Sequence, residues 1–224
     1  MITPTTTVYG TWSGGAYVYP TVPANTAGQY VIVQLSLTGF YGPPAITIGG
    51  SGPGEIVMFL IDSTYPPGTP GGGVPDAFIY ANMTPPHGAT IVPLFGPVGT
   101  EGSYVITVWS SPSVGSSVST AAVDPGSTVT TSSLAYAANQ LIVATATDFS
   151  ALTGSPSWSN GDSDNLIAYE VPGSGNRPVY ASYINPGSSG TTTYTSPTAA
   201  NSSNVVVWCV PAGGASGMQI VSII

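Results

Sequence analysis

Along the chain, short apolar runs alternate with clusters of Gly, Pro, Ser and Asn. No stretch keeps apolar residues at i, i+3 and i+4 over three turns of good helix formers, so little helix is expected. The runs are rich in Val, Ile, Thr, Tyr and Trp, which suit a pleated, half-buried surface. The pattern predicts strands at residues 7–12, 16–22, 29–37, 45–48, 55–62, 77–83, 90–95 and 104–110 in the first half. In the second half it predicts 118–123, 128–134, 140–147, 157–160, 166–171, 178–184, 191–195 and 204–210, with a ninth at 218–224.

The two halves share landmarks, the sign of an internal repeat. Gly28-Gln29-Tyr30-Val31-Ile32-Val33 parallels Asn139-Gln140-Leu141-Ile142-Val143-Ala144, each entering a long strand. Gly42-Pro43-Pro44-Ala45-Ile46 falls opposite Gly154-Ser155-Pro156-Ser157-Trp158, and Ser103-Tyr104-Val105-Ile106-Thr107 opposite Ser203-Asn204-Val205-Val206-Val207. The Pro-, Gly- and Ser-rich segment 110–117 reads as a linker, and 65–73 as a projecting loop. The expectation is an all-β protein of two tandem antiparallel β-sandwich domains, residues 1–112 and 113–224. Eight strands per domain suit a jelly roll, and seven would suit an immunoglobulin-like sandwich.

Charge narrows the function classes. The 224 residues include one basic side chain, Arg177, and nine acidic ones, for a formal charge of −8 at pH 7. A soluble domain usually carries about 25% charged residues; here they are 4%. Phosphate binding needs clustered Lys and Arg, so nucleic acid and anionic membranes are poor partners. No apolar run reaches the ~18 residues of a membrane span. A chain without lysine escapes the cationic self-repulsion of acid, and one with few carboxylates has few ion pairs to lose by protonation. The composition thus points to an acidic setting. One cysteine, Cys209, excludes an internal disulfide framework, and its apolar run Val205-Val206-Val207-Trp208-Cys209-Val210 suggests a buried small hydrophobe. The first residues carry no secretory signal pattern, which leads to the expectation of a protein released by lysis, as virion proteins are.

Candidate chemistry is sparse. The single histidine, His87, lies in the turn sequence Pro85-Pro86-His87-Gly88 and cannot build a metal cluster. There is no nucleophile elbow and no phosphate loop. Asn160-Gly161-Asp162-Ser163-Asp164-Asn165 faintly resembles a calcium loop, but the sixth position is Asn and the twelfth, Val171, lacks the bidentate carboxylate, so an Asp-rich turn between strands is the plainer reading. Asp162, Asp164 and Glu170 lack any flanking signature of a glycosidase pair. The tryptophans Trp12, Trp109, Trp158 and Trp208 are read as core residues. Asn82 and Asn201 head sequons and are candidate glycosylation sites. No catalytic residue, cofactor site or metal site is expected. The apolar segment 218–224 would aggregate if left as a bare edge, so it is expected to pair within its domain or on a neighbouring subunit.

In length, tandem β-domains, charge poverty and missing signal, the whole chain is similar to the turret or vertex capsid proteins of archaeal icosahedral viruses of hot acid springs, such as Sulfolobus turreted icosahedral virus. No motif carries the likeness, so no functional residue is transferred. The resemblance implies a homo-oligomer, a pentamer at a fivefold axis, that contacts other capsid proteins and engages a host-surface receptor from the virion. The alternatives are a bacteriophage tail or decoration protein and a secreted carbohydrate-binding or adhesin module.

Overall fold

A computed structural model describes residues 2–12, 21–22, 29–37, 46–48, 56–64, 76–84, 90–91, 101–110, 117–123, 128–148, 152–172, 178–198 and 203–210. Every regular element among them is a strand. The first half carries β1 (Thr6–Trp12), β2 (Thr21–Val22), β3 (Gln29–Leu37), β4 (Ile46–Ile48), β5 (Ile56–Thr64), β6 (Asp76–Thr84), β7 (Thr90–Ile91) and β8 (Gly102–Trp109). The second carries β9 (Ser117–Val123), β10 (Leu134–Tyr136), β11 (Ile142–Asp148), β12 (Ser157–Trp158), β13 (Asn165–Glu170), β14 (Val179–Ile184), β15 (Gly190–Thr192), β16 (Tyr194–Thr195) and β17 (Ser203–Cys209). The fold is all-β, as the breaker-rich sequence predicts. The linker centre 111–116, the loop 65–73 and the segment 218–224 lie outside the described residues.

Among the described residues all strand pairings are antiparallel and stay within one half. The first half forms a six-stranded sheet in the order β1-β8-β3-β6-β5-β4 and a two-stranded sheet β2-β7. The second half forms a five-stranded sheet β13-β14-β11-β17-β9 and two short sheets, β10-β15 and β12-β16. Those short sheets meet at Thr195, which pairs with Ser157 on one side and bridges Thr130 on the other. The segment predicted as a strand at 128–134 is therefore broken. Tyr194 N donates to the Thr131 hydroxyl at 3.0 Å instead of to a ladder carbonyl, and regular pairing resumes only at Leu134. A threonine side chain standing in for the backbone locally displaces the ladder.

The two halves repeat one topology. In each, the first strand pairs with the last, the last with the third, the third with the sixth and the sixth with the fifth, counting β15 and β16 as one interrupted strand. The repeat extends to irregularities. The β5–β6 register slips between Leu60 and Asp62, and the β13–β14 register slips between Leu166 and Ala168, so Ile61 and Ile167 are equivalent bulge residues. A bulge re-aims a strand and is retained as a built feature. The registers equate Val31 with Ile142 and Val108 with Cys209, so Tyr104 matches Val205. This lies one residue from the parallel drawn on sequence.

Alternation along the central strands explains the packing. Ile142, Ala144 and Ala146 of β11, with Val205, Val207 and Cys209 of β17, share a core with Val129, Leu134, Trp158 and Tyr194 of the short-sheet layer. Their neighbours Leu141, Val143, Val206, Trp208 and Val210 turn the other way, into a core shared with Ile32, Ala77, Ile79, Ala81 and Trp109 of the six-stranded sheet. The central strands β11 and β17 are thus buried on both faces, which accounts for runs that are apolar throughout. Trp109 meets Tyr183 edge to face across the two large sheets, ring centroids 5.1 Å apart.

Polar groups run through the centre of that contact. Gln34 Nε2 donates to Ala144 O at 2.8 Å and to Thr145 Oγ1 at 2.9 Å, and the Ser36 and Thr147 hydroxyls bond to each other. Gln34 with Thr145 and Ser36 with Thr147 each join positions 111 residues apart, which the registers make equivalent. Equivalent residues of β3 and β11 therefore face one another along a local twofold axis parallel to the strands. Consistent with that axis, β1 lies against β13 and β9 against β5, strand pairs that exchange under it.

Candidate functional site

The densest polar constellation among the described residues surrounds Asp164, in the turn between β12 and β13. Gly161, at φ +81°, lets the turn reverse without a Cβ penalty. Within it Asn160 Oδ1 accepts from Asp162 N at 3.3 Å, and Asn160 Nδ2 donates to Asp162 Oδ2 at 2.9 Å and to Tyr136 OH at 3.0 Å. Asn165 Nδ2 donates to Ser163 O at 3.2 Å and Tyr183 O at 3.1 Å. The turn consumes its own oxygens in local bonds.

Asp164 turns inward. Trp158 Nε1 donates to Oδ1 at 2.7 Å and Tyr180 OH to Oδ2 at 3.1 Å. Behind them lie two fully buried hydroxyls. Ser182 Oγ faces both the Asp164 carboxylate and Tyr194 OH but stands outside hydrogen-bonding geometry, and Tyr194 OH has no partner either. The Trp158 and Tyr194 rings pack edge to face at 4.7 Å and fix the position of the indole donor. Burial raises the Asp164 carboxyl above the usual carboxylate range, partly offset by the Trp158 and Tyr180 donors. Burial, with the Asp164 charge beside it, pushes the Tyr180 and Tyr194 hydroxyls up as well. Glu170, at the far end of β13, is also raised by burial.

This arrangement fixes a turn. It offers no nucleophile with a base, and no group of three or more His, Cys, Asp or Glu side chains gathers among the described residues. Asp162 and Asp164, which sequence placed in a calcium-like loop, point to different partners. Arg177 and His87 lie outside the described residues. Asn82 stands in β6 opposite Val31, and Asn201 lies outside the described residues. Trp109, Trp158 and Trp208 are core residues, and Cys209 is a buried thiol, in no disulfide, whose Sγ donates to Ala135 O at 3.6 Å. No helix among the described residues is long and apolar enough to cross a membrane.

Sequence reasoning placed Asp164 in a turn but missed its cage, because Tyr180, Ser182 and Tyr194 reach it from β14 and β16. Compared with known proteins, the chain matches no family model, no curated protein and no solved structure.

Proposed function

We propose that each half of the chain is a jelly roll and that the protein is a virion structural protein. It serves as a capsid vertex or turret component that assembles as a homo-oligomer around a fivefold axis and contributes to host attachment. The carrying observation is the strand order found twice. A jelly roll places its first, eighth, third and sixth strands in one sheet and its second and seventh side by side in the other. The orders β1-β8-β3-β6 and β9-β17-β11-β14, with β2-β7 and β10-β15 as the second layers, follow that scheme. The fifth strand of each half departs from it by joining the larger sheet, and in the first half β4 joins it too. Tandem jelly rolls poor in charged residues suit a shell part held by many neighbours.

The carboxylates support an acidic working environment. For Asp164 and Glu170 the folded-state pKa lies above the unfolded value, so the folded chain binds protons more tightly. Their contribution is fully present below the unfolded values and is lost as pH rises through the raised ones. The protein is therefore expected to be more stable near pH 3 than at pH 7, and Asp164→Asn is expected to flatten that slope, as urea denaturation across the range would reveal. A midpoint that falls on acidification removes the acid assignment.

The function itself is tested on particles. Antibody raised against the chain should label the vertices of purified virions, with five copies per vertex by quantitative mass spectrometry. Finding the chain only in the soluble fraction of infected cells, or as a monomer in a secreted fraction, overturns the proposal.

A further inference from the structure

Of the chain's asparagines, Asn160 alone is followed by glycine. That dipeptide carries its own chemistry. The side-chain carbonyl carbon of an asparagine lies within reach of the next backbone nitrogen, and attack closes a succinimide ring. A side chain on the following residue crowds the attack, and glycine has none. Gly161 is exposed, and a Cβ built on it would meet nothing within 4 Å, so the space beside it is clear.

The turn also restrains the reaction. Gly161 N already donates to Trp158 O at 3.1 Å. The Asn160 amide is pinned at both ends, since Nδ2 donates to Tyr136 OH at 3.0 Å and Asp162 Oδ2 at 2.9 Å while Oδ1 accepts from Asp162 N at 3.3 Å. An amide held in this way swings its carbon onto Gly161 N only when those bonds open, so reaction waits on local opening of the turn. The bonds to Asp162 lie within the turn, whereas the bond to Tyr136 ties the turn to β10.

We propose that Asn160 is a site of spontaneous deamidation and that Tyr136 and Asp162 are its brake. The bond from Gly161 N to Asn160 Cγ forms, the Cγ–Nδ2 bond breaks, and the proton of Gly161 N, relayed through water, completes the departing ammonia. One water then opens the ring. Its addition at Cγ leaves aspartate, and its addition at the main-chain carbonyl leaves isoaspartate, with the chain running through the former side chain. Aspartate puts a carboxylate where the Nδ2 donor stood, facing Asp162 Oδ2, and like charges that close repel. Isoaspartate lengthens the main chain within the turn. Both products strain the turn that delivers Asp164 to Trp158 and Tyr180.

The test holds folded wild type, Tyr136→Phe and Asp162→Ala at pH 8, with wild type in urea as the unfolded reference. Peptide mapping by mass spectrometry follows the change from amide to acid at each asparagine, and thermal melting verifies that each variant is folded. The unfolded chain is expected to convert fastest, and at Asn160 first. Tyr136→Phe keeps the ring and loses one hydrogen bond, so its folded Asn160 should convert about two- to tenfold faster than in wild type. Asp162→Ala, which loses the Oδ2 acceptor, should gain as much. An Asn160 that is still an amide in both variants when the unfolded chain has converted overturns the site. Variants that convert at the wild-type rate, or a folded wild type as fast as the unfolded chain, overturn the brake.

Discussion

Trp109→Ala is expected to lower the unfolding free energy by about 3–5 kcal/mol, the range for truncating a fully buried tryptophan. The indole is 0% exposed at the end of β8 and takes part in the core shared by both large sheets. Its loss leaves Tyr183 without an edge-to-face partner and strips the Thr107 hydroxyl of the Nε1 donor now 2.7 Å away. Trp109→Phe keeps most of the volume and forfeits the hydrogen bond, so its cost should be smaller, about 1–2 kcal/mol. Because the ring spans sheets from opposite halves, the alanine variant should also make the halves unfold at separate midpoints, as a second calorimetric transition. An alanine variant within about 1 kcal/mol of wild type by urea titration would mean that the core between the sheets can collapse around the gap, contrary to close packing.

Much of the strand content was legible because breakers and β-branched runs alternate so sharply. Gln29–Leu37 is flanked by Gly28 and Gly39, and its predicted and observed bounds coincide. The β3–β11 parallel held in register because both strands follow a residue tolerant of positive φ, and Asn139 does adopt φ +58°. The β8–β17 parallel slipped by one because Val205-Val206-Val207 offers three indistinguishable neighbours. The bulge could have been suspected from Leu60-Ile61 and Leu166-Ile167, the same dipeptide at equivalent places, but a bulge leaves no compositional mark of its own. The stacking of one half's large sheet on the other's had a signal too. A strand covered on one side and wet on the other alternates, whereas Leu141–Ala144 and Val205–Val210 are apolar at every position, which requires cover on both faces. The Asp164 cage had none, since its donors converge from strands that sequence spacing cannot bring together.

Gln34→Glu isolates the role of the polar line between the sheets, because it exchanges one amide nitrogen for oxygen and leaves volume unchanged. Gln34 is fully buried, and its Nε2 serves two acceptors, Ala144 O and Thr145 Oγ1, while its Oε1 has no partner. At neutral pH the new carboxylate would set a negative oxygen against a carbonyl and leave an unpaired charge in the core, a cost of about 3–5 kcal/mol. Protonation reverses the loss, since a neutral carboxyl again offers a donor to Ala144 O. The folded-state pKa of this Glu must then lie above its unfolded value, so the penalty is smallest below that unfolded value and grows as pH rises through the folded one. Thr145→Lys across the axis behaves in the opposite sense. An ammonium stays charged in acid, so its cost should not shrink at pH 3. Urea denaturation of both variants at pH 3 and pH 7 separates the two, and a Gln34→Glu penalty equal at both values would show that water reaches this line.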